Sequence, residues 1–128
     1  MITEDYVSFE TAKMLKEKGF DESTSMVYMS YSDLCKLNRY DSIRNSNYND
    51  ITKNYFEYTA PTLQMVMKWL RKVHNLFIEM HIQNNGSYIG YIYNTNGFGL
   101  IGWDKRRISS SYEEACEIAI KYCLENLI

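Results

Sequence analysis

Metal or acid–base chemistry would require histidines, thiols and carboxylates gathered at a ligand or catalytic spacing, and in this chain they are scattered. His81 stands two residues from Glu79, so on a strand both side chains point the same way and offer two ligands. Two histidines and one nearby carboxylate fall short of a metal-binding pattern, and no metal is expected. His74 falls at the carboxyl end of an apolar helical stripe, where an imidazole can bond the last carbonyls and favour the helix dipole. Cys35, Cys116 and Cys123 are odd in number and form no C-x-x-C pair, so reduced thiols are expected rather than a disulfide framework or a thiolate zinc site. A nucleophilic Cys35 would need a positioned base, and no local signature supplies one. Gly97, Gly99 and Gly102 do not lead into a helix start, which excludes a phosphate-binding loop. No cofactor and no enzymatic activity is expected.

The elements that position these groups are clearest from residue 61 onward. Pro61 and Thr62 both suit a helix start. At about 100° per residue, Leu63, Val66, Met67, Trp69, Leu70 and Val73 then share one face, with Gln64, Lys68, Arg71 and Lys72 on the other. From Leu76 to Gln83, Ile78, Met80 and Ile82 alternate with Phe77, Glu79 and His81, the period of a half-buried strand. Asn84, Asn85 and Gly86 mark a turn, Ser87 to Tyr93 reads as a second strand, and Asn96-Gly97 predicts a hairpin into a third over Phe98 to Trp103. Ser111 with Glu114 forms a capping box for a last helix whose inward face is Tyr112, Ala115, Cys116, Ala119, Tyr122, Cys123 and Leu127. Its small side chains invite close approach, with Trp69 as the large partner.

At the other end, Ser8 predicts the cap of a helix from Phe9 to Lys18, with Val7 stapled against Ala12, Gly19 as the left-handed terminator and Phe20 folded back onto Leu15. Between these regions, Met26 to Met29 reads as a short strand and Tyr31 to Leu37 as a helical turn. Asn38 to Asn54, rich in asparagine and charge, reads as a long irregular loop. Tyr55 to Tyr58 suits a strand at a sheet edge. The expected fold is α+β, a three-stranded antiparallel meander with helices packed on it, in the order α, irregular, α, β, β, β, α.

With 45% hydrophobic residues, positions 1–128 suit a single domain with one core. A net charge of −2 argues against a general attraction to nucleic acid or anionic lipid. No apolar run approaches the roughly 18 residues of a membrane span, and the acidic start Met1-Ile2-Thr3-Glu4-Asp5 is unlike a secretory signal. A cytoplasmic location and no membrane partner are therefore expected. The order helix, three strands, helix is shared with the double-stranded RNA-binding domain, but that domain needs cations at the start of its second helix. Here the position holds Glu113 and Glu114, followed by Glu117.

Three segments together resemble one family. They are Tyr6-Val7-Ser8-Phe9-Glu10-Thr11-Ala12-Lys13 with Leu15 to Asp21, Ala60-Pro61-Thr62-Leu63-Gln64 with Lys68-Trp69-Leu70-Arg71, and Ser111 to Ala115 with Leu124 to Ile128. The family is a group of small uncharacterised proteins encoded by phages and mobile elements of gut Bacteroidales. The resemblance implies a protein made in the cytoplasm of a bacterial host and brings no activity, cofactor or functional residue.

Tyrosine, at 12 of 128 residues, favours an interaction surface. The candidate interaction residues are Lys68, Arg71, Lys72, Phe77, His81, Lys105, Arg106 and Arg107. They serve a protein partner or, less favoured, nucleic acid held by the two basic clusters. The sheet face carrying Phe77, Glu79 and His81 needs a cover, for which the first helix with the segment before Pro61 and a second copy of the chain are the alternatives; the chain itself is slightly preferred.

Overall fold

The structure, a computed structural model, describes residues 2–31, 34–44, 49–50, 55–94, 96, 99–100 and 108–128. It is a small α+β protein with antiparallel sheets. The sequence reading treats 1–128 as one domain; within it the backbone gathers into two compact units, Met1–Thr62 and Leu63–Ile128.

The first unit opens with α1 (Phe9–Glu17). Ser8 caps it by accepting the amide of Thr11, and Gly19 at φ 87° ends it. The Phe20 N–H donates to Leu15 O at 2.9 Å and Gly19 N–H to Lys16 O at 3.2 Å, the paired bonds of a Schellman ending. Val7, Ala12, Leu15 and Phe20 are all buried, as the staple and the fold-back require. Strands β1 (Thr24–Tyr31), β2 (Leu34–Arg44), β3 (Asn49–Asp50) and β4 (Tyr55–Thr59) follow, in spatial order β2-β1-β4-β3 with every pairing antiparallel.

Met26 to Met29 is strand as expected, within β1, but the sheet overturns the helical turn and irregular loop expected after it. Tyr31 ends one strand and Leu34 begins the next, antiparallel to it, so paired strands stand where a helical turn was expected; of the expected loop, Asn38 to Arg44 lie in β2 and Asn49–Asp50 in β3, while residues 45–48 and 51–54 lie outside the described residues. The physical reason is position. Among the described residues β2 is outermost in its sheet, where strand composition follows context more than propensity and charged residues are favoured. Tyr55–Thr59 is a strand as expected, but it lies between β1 and β3 and not at an edge. On one face Tyr28 opposes Tyr58, and the Phe9 ring meets both edge-on at 5.7 and 5.4 Å. The Tyr28 hydroxyl donates to Val7 O at 2.7 Å, joining the sheet to the chain just before α1. Tyr28→Phe keeps the ring and orphans that carbonyl, so a loss of about 0.5–1.5 kcal/mol is expected. Urea unfolding would measure it, and an unchanged midpoint would show the carbonyl finds water instead.

The second unit runs α2 (Leu63–His74), β5 (Leu76–Ile82), β6 (Tyr88–Asn94), β7 (Gly99–Leu100), β8 (Ile108–Ser109) and α3 (Tyr112–Asn126). Asn75 alone separates α2 from β5. It takes φ 57°, a conformation asparagine tolerates better than most residues. The β5–β6 turn has the predicted chemistry: Gly86 N–H donates to Gln83 O at 2.9 Å, Gly86 holds φ 85°, and Gln83 N–H donates to Ser87 O at 2.8 Å. Strand β6 pairs with β5 along one side and with β7 and then β8 along the other. Of the third predicted strand, Gly99 and Leu100 are described; Phe98, residues 101–103, and Gly97 of the Asn-Gly turn lie outside the described residues.

Helix α3 packs on β5 and β6, and α2 packs on β5 and α3. The α2 stripe is buried as expected at Leu63, Val66, Met67, Trp69 and Leu70, but Val73 is exposed, and so is Ile82 on β5. Both sit where their element ends. A periodicity gives the direction of a side chain and not how far along the axis a covering neighbour extends. On α3 the buried set is Ala115, Cys116, Ala119, Ile120, Cys123 and Leu124, with Tyr112 exposed and Tyr122 and Leu127 half-buried. The face is thus rotated from the predicted one. The close contact is that of Ala119 with Gly90, and the aliphatic Ile120 and Leu124 beside it are fully buried. The capping box is half made: Ser111 Oγ accepts the Glu114 amide at 3.2 Å, but the Ser111 amide donates to Ser109 Oγ at 3.1 Å rather than to Glu114.

Candidate interaction surface

Strand β5 divides its residues by face. Leu76 and Ile78 are buried beneath the helices, whereas Phe77 keeps 37% of its surface. The antiparallel register then decides which tyrosines join Phe77. Phe77 opposes Tyr93, Glu79 opposes Tyr91 and His81 opposes Ile89. The tyrosines that complete this face are therefore Tyr91 and Tyr93, while Tyr88 lies on the other side with its ring edge-on to Tyr112 at 5.7 Å.

The contacts form a ladder. At its first end the Arg71 guanidinium lies 6.0 Å from the centre of the Phe77 ring, within cation–π range. The Phe77 ring is 6.5 Å from that of Tyr93. Next, His81 Nε2 meets Glu79 Oε1 at 2.7 Å, and the His81 ring stands edge-on to Tyr91 at 4.7 Å. Both side chains of the His81–Glu79 pair are 43% exposed, so the pair is screened by water and adds little stability. The Tyr93 hydroxyl is held above its usual range first by loss of solvent, then by the Glu79 carboxylate beside it and the hydrogen bond between them, and lastly by Tyr91. Tyr93 therefore stays a neutral donor at physiological pH.

Of the candidates read from sequence, the structure brings Arg71 onto Phe77 and places His81 four residues along the same strand face. Lys68 and Lys72 are exposed on α2. Lys105, Arg106 and Arg107 lie outside the described residues, so their union with the α2 cations does too. Tyr91 and Tyr93 could not be singled out in sequence, because the loop geometry at Gly86 fixes which alternate set of β6 shares a face with Phe77.

Among the described residues, no group of three histidine, cysteine, aspartate or glutamate side chains is placed to hold a metal ion. Cys116 and Cys123 are buried on the inward side of α3 and are not joined in a disulfide. No helix among the described residues is long and apolar enough to cross a membrane. No known protein family, characterised protein or solved structure matches the chain.

His74 departs from the expected cap to the last carbonyls of its helix. Its ring stands edge-on to Trp69 at 4.6 Å, and its buried Nε2 has no hydrogen-bond partner. Burial lowers its pKa below the usual 6.5. Above pH 6.5 the imidazole is neutral folded or unfolded. As pH falls below 6.5 the unfolded chain takes up the proton first, so stability falls until the folded-state pKa is passed. The melting temperature should accordingly drop on acidification below about 6.5, and His74→Leu should flatten that slope. An identical slope in the variant would assign it to other groups.

Proposed function

We propose that this chain is a small protein–protein interaction module, of phage or mobile-element origin, that acts in the cytoplasm of a bacterial host on a regulatory or defence component. The observation that supports this reading is the ladder Phe77, Tyr93, Glu79, Tyr91 and His81 on one face of the β5–β6 hairpin, joined by Arg71 from α2, with Phe77 and His81 exposed and the others half-buried. Arginine and tyrosine are the side chains that most often anchor protein interfaces. Each has a broad contact area and a polar end, so it can bury apolar surface and still satisfy a hydrogen bond. The mixed signs along the ladder suit a protein surface better than a polyanion, which would favour cations alone.

The test is affinity capture from host lysate, with and without nuclease, using the wild type and a Phe77→Ser/Tyr91→Ser variant of unchanged melting behaviour. A protein retained after nuclease and lost with the variant is the expected result. Capture abolished by nuclease, and steeply salt-dependent, would favour nucleic-acid binding by the basic clusters; capture unaffected by the variant would remove this face from the function.

A further inference from the structure

We infer that the β5–β6 face closes against a second copy of the chain about a twofold axis passing close to Phe77 and Tyr93. This rests on the reading of that face as a protein-binding surface and names a partner for it. The argument is the order of charges. Arg71 belongs to the helix that runs into the amino-terminal end of β5, and its guanidinium lies 6.0 Å from the Phe77 ring. Glu79 lies two residues beyond Phe77, a displacement of about 6.6 Å along the strand. The rings of Phe77 and Tyr93 thus have a cation from α2 against them and a carboxylate two residues further along β5. A twofold axis through the rings reverses the ladder, so each Arg71 faces the Glu79 of the other copy and ring packs on ring. A face bearing one sign of charge would repel its own copy, whereas this one is complementary to itself.

The carboxylate has capacity for the incoming group. Glu79 already takes His81 on Oε1 and a hydrogen bond with Tyr93, and a carboxylate offers about four acceptor positions, so a guanidinium from the second copy need not displace either. With the chain folded, Phe77 is still 37% exposed and the side chains of Glu79 and His81 43% exposed, which leaves the centre of the ladder open to a partner.

Sedimentation equilibrium on the full chain would test this with four proteins: wild type, Arg71→Glu, Glu79→Arg, and both reversals together. The expected result is a wild-type dimer, a dissociation constant raised at least about tenfold by each single reversal, and recovery to near the wild-type value in the double variant. A second measurement uses position rather than charge. Phe77→Cys, close to the axis, should form an intermolecular disulfide under mild oxidation, and His81→Cys, far along the ladder, should not. A monomeric wild type, a dimer indifferent to both reversals, or cross-linking at His81→Cys and not at Phe77→Cys would each overturn the inference. If the wild type is monomeric and the Phe77→Ser/Tyr91→Ser variant still loses a captured host protein, the face remains an interaction surface and only the self-association is refuted.

Discussion

Trp69→Ala is expected to lower the unfolding free energy by about 3–5 kcal/mol, the range for truncating large core aromatics. Trp69 is 7% exposed in the middle of the buried α2 stripe, between Val66 and Leu70, both fully covered. The backbone around it is constrained, since α2 leads through the single left-handed residue Asn75 directly into β5, so the helix cannot easily sink to fill the space. The substitution has a second consequence. The indole is the ring against which His74 stands, and burial is what lowers the His74 pKa. Without the indole His74 gains water, and the loss of stability on acidification below about 6.5 should shrink along with the stability itself. Thermal denaturation between neutral and mildly acid pH would read both effects. A melting temperature within a degree or two of wild type would show that the indole does not fill core volume.

What sequence made legible here was whatever short-range chemistry decides. The ends of α1 followed from Ser8 and from Gly19-Phe20, because caps and left-handed terminators involve neighbours a few residues apart. The α2 stripe and the Gln83–Ser87 turn were legible for the same reason. Strand β2 was not. Its asparagine, serine and charges favour turns locally, and only pairing with β1 makes it a strand; that information lies in another part of the chain. The α3 face was displaced for a related reason. The wheel weighs each residue by its own apolarity, whereas the inward direction is set by what α3 meets, and it meets a glycine on β6. The candidate surface was half legible: Phe77, Glu79 and His81 follow from alternation along one strand, but Tyr91 and Tyr93 required the register, and the contact of Arg71 with Phe77 required the angle at which α2 enters β5.

Gly90 supplies the second large expected effect. An added Cβ at this position would lie 2.8 Å from Ala119 Cβ, 3.2 Å from Met80 Sδ and 3.3 Å from Ile78 Cγ2. Met80 can turn aside, since thioether side chains are flexible. Ala119 cannot: its Cβ is fixed to the backbone of α3, so relief means moving the helix off the sheet. Gly90→Ala also brings a favourable term, because alanine in a strand is better than glycine by about 0.5–1 kcal/mol through the entropy of the unfolded chain. Overpacking of a core contact costs about 1–3 kcal/mol and should outweigh it, and Gly90→Val, which cannot avoid the helix in any rotamer, should cost more than Gly90→Ala. The decisive measurement is a double-mutant cycle with Ala119→Gly. That change alone should destabilise α3 by about 1 kcal/mol through helix propensity, yet it removes the atom that an alanine at position 90 would strike. The double variant should therefore be more stable than the sum of the single changes predicts, by at least about 0.5 kcal/mol. Strict additivity in urea unfolding, or a Gly90→Ala protein more stable than wild type, would mean that α3 does not seat on β6 through this pair of small residues.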